Sequence, residues 1–283
     1  MSVIEKAKIL KCGPYLLRYE DKTQVMGILN VTPDSFSDGG KFNDIERAIK
    51  HAKEMVESGA DIIDVGGEST RPGHEPVSEE DELARVLPVI ERLSKEIRVP
   101  ISIDTYKAHV AKKAVEAGAT IINDIWGAKK EPDIARVAAE YDVPIILMHN
   151  REKEGYNDLI RDMISDLMES VEIAKKAGVR DEQIILDPGI GFAKTFEDNL
   201  LVMRHLEEFT KLGFPVLLGT SRKRFIGRVL DLPVDERMEG TGATVCLGVQ
   251  KGCQFVRVHD VQPIARMVKM MDAMLGKGLD QDR

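Results

Sequence analysis

Three nine-residue stretches decide the fold: VESGADIID (56–64), VEAGATIIN (115–123) and VQKGCQFVR (249–257). Each reads as the end of a helix, a glycine, a tight turn, a short strand and then a polar residue. Glycine is the usual residue where a helix closes in the left-handed conformation, and αβ turns of this length join a helix to the next strand. The polar tip falls at the strand's C-terminal end each time, but its identity changes: Asp64, Asn123, Arg257. A constant packing unit with a varied tip is the pattern of a barrel whose site lies at one mouth.

Working outward, the same alternation predicts strands near 24–29, 61–65, 101–103, 120–123, 144–148, 183–186, 215–218 and 254–258. Helical patterns lie between them, as at 44–57, 79–95, 107–116, 157–177 and 235–250. The strand runs are short and continuously apolar, IILM (145–148) among them, which suits parallel strands buried on both faces. Eight β/α units in succession predict a (β/α)8 TIM barrel, an α/β single domain spanning 1–283 with its core at about 24–274. The stretch 3–20, with Gly13-Pro14, predicts a short N-terminal hairpin-like extension closing the barrel floor. A doubly wound sheet is the runner-up, but NVTPDSFSDGG (30–40) after the first strand is no dinucleotide-binding glycine turn.

The chain has 283 residues, a formal net charge of −8 and only 5% aromatic residues. No broad basic face is implied, which excludes nucleic acid and anionic membranes as expected partners. Cys12, Cys246 and Cys253 are odd in number and show no C-x-x-C spacing, as three reduced thiols would. MSVIEKAKILK has no signal-peptide core, and no apolar run approaches the ~20 residues that span a bilayer. A cytoplasmic protein is expected.

The other strands also end in polar residues: Asn30, Asp104, His149 and Asp187, with Ser221 and Lys223 after the seventh. Asp104, Asp187 and Asn123 suit a flat heterocycle with adjacent N–H donors, and Lys223 suits its carbonyl or ring nitrogen. The competing reading is a buried Asp–Lys ion-pair network filling the barrel top. Arg257 and His259 lie two apart on one strand and so share a face, a plausible phosphate clamp. Otherwise Arg257 pairs with a local acid and His259 caps the last helix. Asn30 is either a Mg2+ ligand or a turn residue. Residues 32–43 and 66–78 read as long loops over the mouth, capable of closing over a substrate.

In order and spacing, NVTPDSFSDGG (30–40), GGESTRPG (66–73), DPGIGF (187–192), GTSRKRF (219–225) and RVH (257–259) resemble the dihydropteroate synthase family. GIGFAKTFEDNL (189–200) and GTGATV (240–245) extend the resemblance over about 24–270. It implies a transferase of folate biosynthesis that joins (7,8-dihydropterin-6-yl)methyl diphosphate to 4-aminobenzoate. Asp104, Asn123, Met148, Asp187, Gly219 and Lys223 then match pterin-binding positions. Asn30, Thr70, Arg257 and His259 match diphosphate-contacting positions, with Asn30 also the Mg2+ position. Phe36, Pro72, Phe192 and Ser221 match the aminobenzoate pocket. Asp34, Asp38 and Arg71 on the two loops, together with Lys223, are the catalytic candidates. The resemblance further implies a homodimer and sensitivity to sulfonamides. A pterin-dependent methyltransferase and a non-catalytic pterin-binding homologue are the alternatives.

Overall fold

The computed structural model of the chain describes residues 9–31, 40–68 and 77–278. Eight parallel strands form one sheet: β3 (Gln24–Asn30), β4 (Ile62–Gly66), β5 (Ile101–Asp104), β6 (Ile121–Asp124), β7 (Ile145–Met148), β8 (Ile184–Asp187), β9 (Leu217–Leu218) and β10 (Phe255–Val258). Their order is β8-β7-β6-β5-β4-β3-β10-β9. A parallel bridge between Leu186 and Val216 closes the two edges on each other, with Leu186 N donating to Pro215 O at 2.9 Å. The expected barrel is therefore present. The seventh strand is shorter than the predicted 215–218 because Pro215 has no N–H to give the ladder.

The helices are α1 (Gly40–Glu57), α2 (Glu79–Glu96), α3 (Ala108–Ala117), α4 (Asp133–Glu140), α5 (Leu159–Lys176), α6 (Phe196–Arg204), α7 (Leu206–Thr210), α8 (Arg224–Leu230), α9 (Met238–Gln250) and α10 (Val261–Met274). The helix predicted over 235–250 begins at Met238, after a single 3-10 turn at Val234–Glu236. Beneath the helices, a continuous apolar layer runs from Val25 and Ile63 round to Val256 and Val258.

The three echoed stretches close their helices identically. Gly59, Gly118 and Gly252 all take positive φ. Their N–H groups bond the carbonyls of Val56, Val115 and Val249, and the next N–H in each reaches back five residues, to Met55, Ala114 and Gly248. This is the Schellman closure, which satisfies carbonyls the helix end would leave orphaned. It aims each chain straight into its strand.

Side chains alternate along each strand, so every second residue points into the barrel. The lowest inner layer is Met26, Ile62, Ile121, Ile146, Ile185, Leu217 and Phe255. Leu10, Cys12, Leu17 and Tyr19 pack against that layer. They belong to the antiparallel hairpin of β1 (Leu10–Cys12) and β2 (Tyr15–Leu17), turned by Gly13-Pro14. The hairpin plugs the floor, as expected. Burying each such side chain stabilises by about 1.5–3 kcal/mol, and the apolar floor leaves the opposite end free to be polar. Cys12, Cys246 and Cys253 are all free thiols. Among the described residues, no helix is long and apolar enough to cross a membrane.

Candidate active site

Above the apolar floor the inward positions of several strands turn polar, two residues on at Asp64, Asn123, Asp187 and Arg257 and four residues on at Asn30. Asp64 and Ser102 form part of the middle layer and are fully buried. Asn30, Gly66, Asp104, Asn123, Met148, Asp187, Gly219 and Arg257 stand at or just beyond the strand ends. Along neighbouring strands Asn30 pairs Gly66, Gly66 pairs Asp104, Asp104 pairs Asn123, and Met148 pairs Asp187, while Asn123 also pairs Ile146 and Arg257 pairs Met26, a stagger that follows the tilt of the strands.

Arg257 ties the layers together. Its Nε donates to Asp64 Oδ2 at 2.6 Å and an Nη to Asp104 Oδ2 at 2.7 Å. Asn123 Nδ2 donates to the same Asp64 oxygen at 3.1 Å. The local-acid pairing of Arg257 is thus present, and two of its five N–H donors are committed to it. Asp64 was visible only as a strand-end polar residue, and its partnership with an arginine 193 positions away has no sequence signal. Asp64 Oδ1 and Asp104 Oδ1 are buried without a hydrogen bond among the described residues, so acceptor capacity remains. Burial, with Asp64 adding to it, drives the Asp104 carboxyl above its ordinary range despite Arg257.

Asp187 accepts from Gly189 N at 2.7 Å. Burial raises its pKa against the pull of Lys223 and that N–H. Lys223 lies behind the loop 189–192, donating to Ile190 O, with its ammonium 4.7 Å from the Phe192 ring centroid. Burial lowers its pKa to about 8, against the attraction of Asp187. Gly189 has φ +65, and a Cβ there would stand 2.0 Å from the His149 carbonyl oxygen. Only glycine allows this loop to fold down behind Asp187.

These residues meet at one cleft, lined by Asn123, Ile125, Met148, Asp187, Phe192, Gly219, Lys223 and Arg257. Ile125, which follows the β6 tip and carries no polar signal in the sequence, lines the cleft together with Met148. Ser221 and His259 are joined at its edge, His259 N donating to Ser221 Oγ at 3.1 Å and Ser221 Oγ lying 2.9 Å from His259 Nδ1. β10 ends at Val258, so His259 sits just past the strand, where its carbonyl accepts from Val261 N at the start of α10. Asp34, Phe36, Asp38, Thr70, Arg71 and Pro72 lie outside the described residues. Among those described, no cluster of three His, Cys, Asp or Glu side chains could hold a metal.

A cleft that gathers a carboxylate, an amide, two cations, methionine and isoleucine, with Asp104 bonded to Arg257 beside it, can hold an amino-pyrimidinone ring. Comparison with known proteins agrees. The family model described as "Pterin binding enzyme" matches residues 26–259. The chain is 68% identical over 275 residues to the dihydropteroate synthase of Bacillus subtilis, covering 97% of this chain and 96% of that protein. The dihydropteroate synthase of Clostridium difficile, solved in the presence of pteroic acid, is 51% identical with a TM-score of 0.90, covering 91% of this chain and 98% of that one. That of Xanthomonas albilineans, solved with 4-aminobenzoic acid, is 40% identical with a TM-score of 0.91, covering 95% and 99%. With its cleft and its sequence agreeing from β3 to the residue after β10, the chain belongs to the dihydropteroate synthase family, transferases of folate biosynthesis.

Proposed function

We propose that the cleft at the barrel mouth condenses (7,8-dihydropterin-6-yl)methyl diphosphate with 4-aminobenzoate to give 7,8-dihydropteroate and diphosphate. The observation that carries this reading is the convergence of Asn123, Asp187, Lys223 and Arg257 with Met148 and Phe192 on one cleft. Asp104, bonded to Arg257, completes its polar end. Asp104, Asn123 and Asp187 grip the ring's N–H edge, and Lys223, which has three N–H donors and spends one on Ile190, reaches a ring acceptor.

The C–O bond between the exocyclic CH2 and diphosphate breaks. A C–N bond to the arylamine forms, and the amine's proton passes to solvent or to the departing diphosphate. Asp104 and Asp187 offset positive charge developing on the pterin as that bond opens. Arg257 keeps three N–H groups after serving Asp64 and Asp104, enough to meet a phosphate oxygen beside His259. Phe192 and Ser221, with Phe36 and Pro72, form the aminobenzoate pocket in this reading, and Asp34, Asp38 and Arg71 close it. Binding is ordered, with the pterin diphosphate first.

Asn30 fits a Mg2+ site. It offers one neutral oxygen, and Asn30 Oδ1 and Asp104 Oδ2 both lie within 4 Å of where a Cβ on Gly66 would stand. The gap between them is kept open by that glycine. Mg2+ takes few protein ligands and completes its shell with water and phosphate oxygens; when bound it neutralises charge on the leaving diphosphate. We also assign a homodimer, formed through helices away from the mouth.

Diphosphate release with Mg2+ and the pterin diphosphate, measured with and without 4-aminobenzoate, tests the reading. Release matched by dihydropteroate is expected. Folded protein that binds pterin without release would return the weight to the non-catalytic reading. Methyl transfer from methyltetrahydrofolate would return it to the methyltransferase.

A further inference from the structure

The loop from Gly189 to Ala193 forms one wall of the cleft, and each of its residues has a backbone group held by a side chain from elsewhere. Gly189 N donates to Asp187, Gly191 N to Asn199 Oδ1 at 2.6 Å, and Ala193 O accepts from Tyr156 at 2.8 Å. Ile190 O accepts from Lys223. Two further carbonyls, Gly189 O and Phe192 O, both accept from Lys194 Nζ at 2.9 Å. Backbone φ is positive at Gly189 and Gly191, where glycine adopts it freely, and at Ala193, where the surroundings must enforce it.

Lys194 is 6% exposed and has no carboxylate within salt-bridge distance among the described residues. Its third contact is His149 Nδ1 at 3.0 Å. Three acceptors round one nitrogen match the three hydrogens of an ammonium. His149 must then present its lone pair at Nδ1 and carry its proton on Nε2, which lies 3.0 Å from Asp166 Oδ2. Arg151 Nε donates to that same oxygen at 2.6 Å. A buried charge is costly unless it is paired or fully hydrogen-bonded. Burial, with the Lys223 charge adding to it, lowers the Lys194 pKa to about 7 against the attraction of Asp187 and Asp198, and the group is held behind the cleft wall by hydrogen bonds rather than by an ion pair.

We infer that Lys194 is a positioning residue of this site, seated against the His149–Asp166 pair and holding the 189–192 loop so that Phe192 stays at the cleft wall. The inference rests on the condensation proposed above. It also makes a distinction within it. Asp104 and Asn123 stand on strand ends away from this loop, and Asp187 and Lys223 meet only its backbone at Gly189 N and Ile190 O, whereas Phe192 is itself a loop residue whose carbonyl Lys194 holds. Loss of Lys194 therefore falls more on the aminobenzoate side of the reaction than on the pterin side.

Lys194→Met keeps the length of the side chain and removes its donors. Steady-state kinetics on the full-length enzyme should show KM for 4-aminobenzoate raised roughly tenfold or more, with KM for the pterin diphosphate changed far less. Lys194→Ala should show the same defect, and added ethylammonium, which can refill the space with an ammonium, should restore much of it. An unchanged aminobenzoate KM in Lys194→Met overturns the inference. So does an equal rise in both KM values, a defect in Lys194→Ala that ethylammonium leaves untouched, or failure of both variants to fold. Wild-type enzyme without condensation activity would instead overturn the parent reading.

Discussion

Arg257 carries the site's charge balance. Its side chain stands between Asp64 and Asp104, both carboxyls almost wholly buried. Removing one partner of such a group strands the others without water, at a cost of about 3–5 kcal/mol. Arg257→Met should therefore lower the urea midpoint markedly, and adding Asp64→Asn and Asp104→Asn should recover part of the loss. A midpoint equal to wild type in the single variant would show that the two acids do not need the guanidinium. Lys223 gives a second prediction. Its folded pKa is lowered to about 8 by burial, so its ammonium is lost as pH rises through that value. The pH profile of kcat/KM for the pterin diphosphate reports groups of the free enzyme and should fall on an alkaline limb near 8. Residual activity of Lys223→Gln should lack that limb; a limb that persists there belongs to another group. Which residues stand at strand ends was readable from the chain, because each follows an apolar run. Their partnerships were not, since Arg257 meets Asp64 and Asp104 only through barrel closure. Lys194 was less visible still, being one lysine among many until burial singles it out.

Among the elements, the helix-to-strand joints repay attention because they aim the polar tips. Gly118 has φ +121, and a Cβ there would lie 2.5 Å from Ser94 Cβ on α2. Gly213 has φ +89 with nothing within 4 Å. Both pay the conformational term on substitution by alanine, about 1–2 kcal/mol, but only Gly118 adds a clash between packed helices. Gly118→Ala should thus destabilise well beyond Gly213→Ala in parallel chemical denaturation, and equal losses would mean that α2 moves aside freely. These joints were legible as VESGADIID and its two echoes because a Schellman closure demands glycine at a fixed offset from the strand. The strand predicted over 215–218 begins later for the converse reason: its apolar letters start at a proline with no N–H to give, and the Val216 N–H goes to the Gln254 side chain instead of a neighbouring strand. The floor hairpin was suggested by Gly13-Pro14, but that Leu10 and Leu17 cover the inner layer follows from tertiary closure alone.

At the scale of the whole molecule, the barrel separates three tasks by position. The hairpin seals the floor, the mouth holds the chemistry, and the outer helices face outward. That outer surface is uneven. Val229 and Leu230 at the end of α8, Val234 just beyond it, and Met270, Met274 and Leu275 at the end of α10 are exposed large hydrophobics, between 43% and 61% accessible. α9 lies between α8 and α10 and packs on both. The two groups flank α9: Leu230 lies beside Gly240 near the start of α9, and α10 ends toward the floor, where Asp272 bonds Thr23 just before β3. Apolar surface of this kind is characteristic of subunit contact rather than of free surface, and it gives the proposed homodimer a face along α8, α9 and α10. Val229→Glu combined with Met270→Glu should shift the protein toward monomer in sedimentation velocity, weakening association roughly 100-fold or more. Because neither residue lines the cleft, pterin binding by the monomer should survive the change. A dimer of undiminished stability in the double variant would move the interface to another face of the barrel.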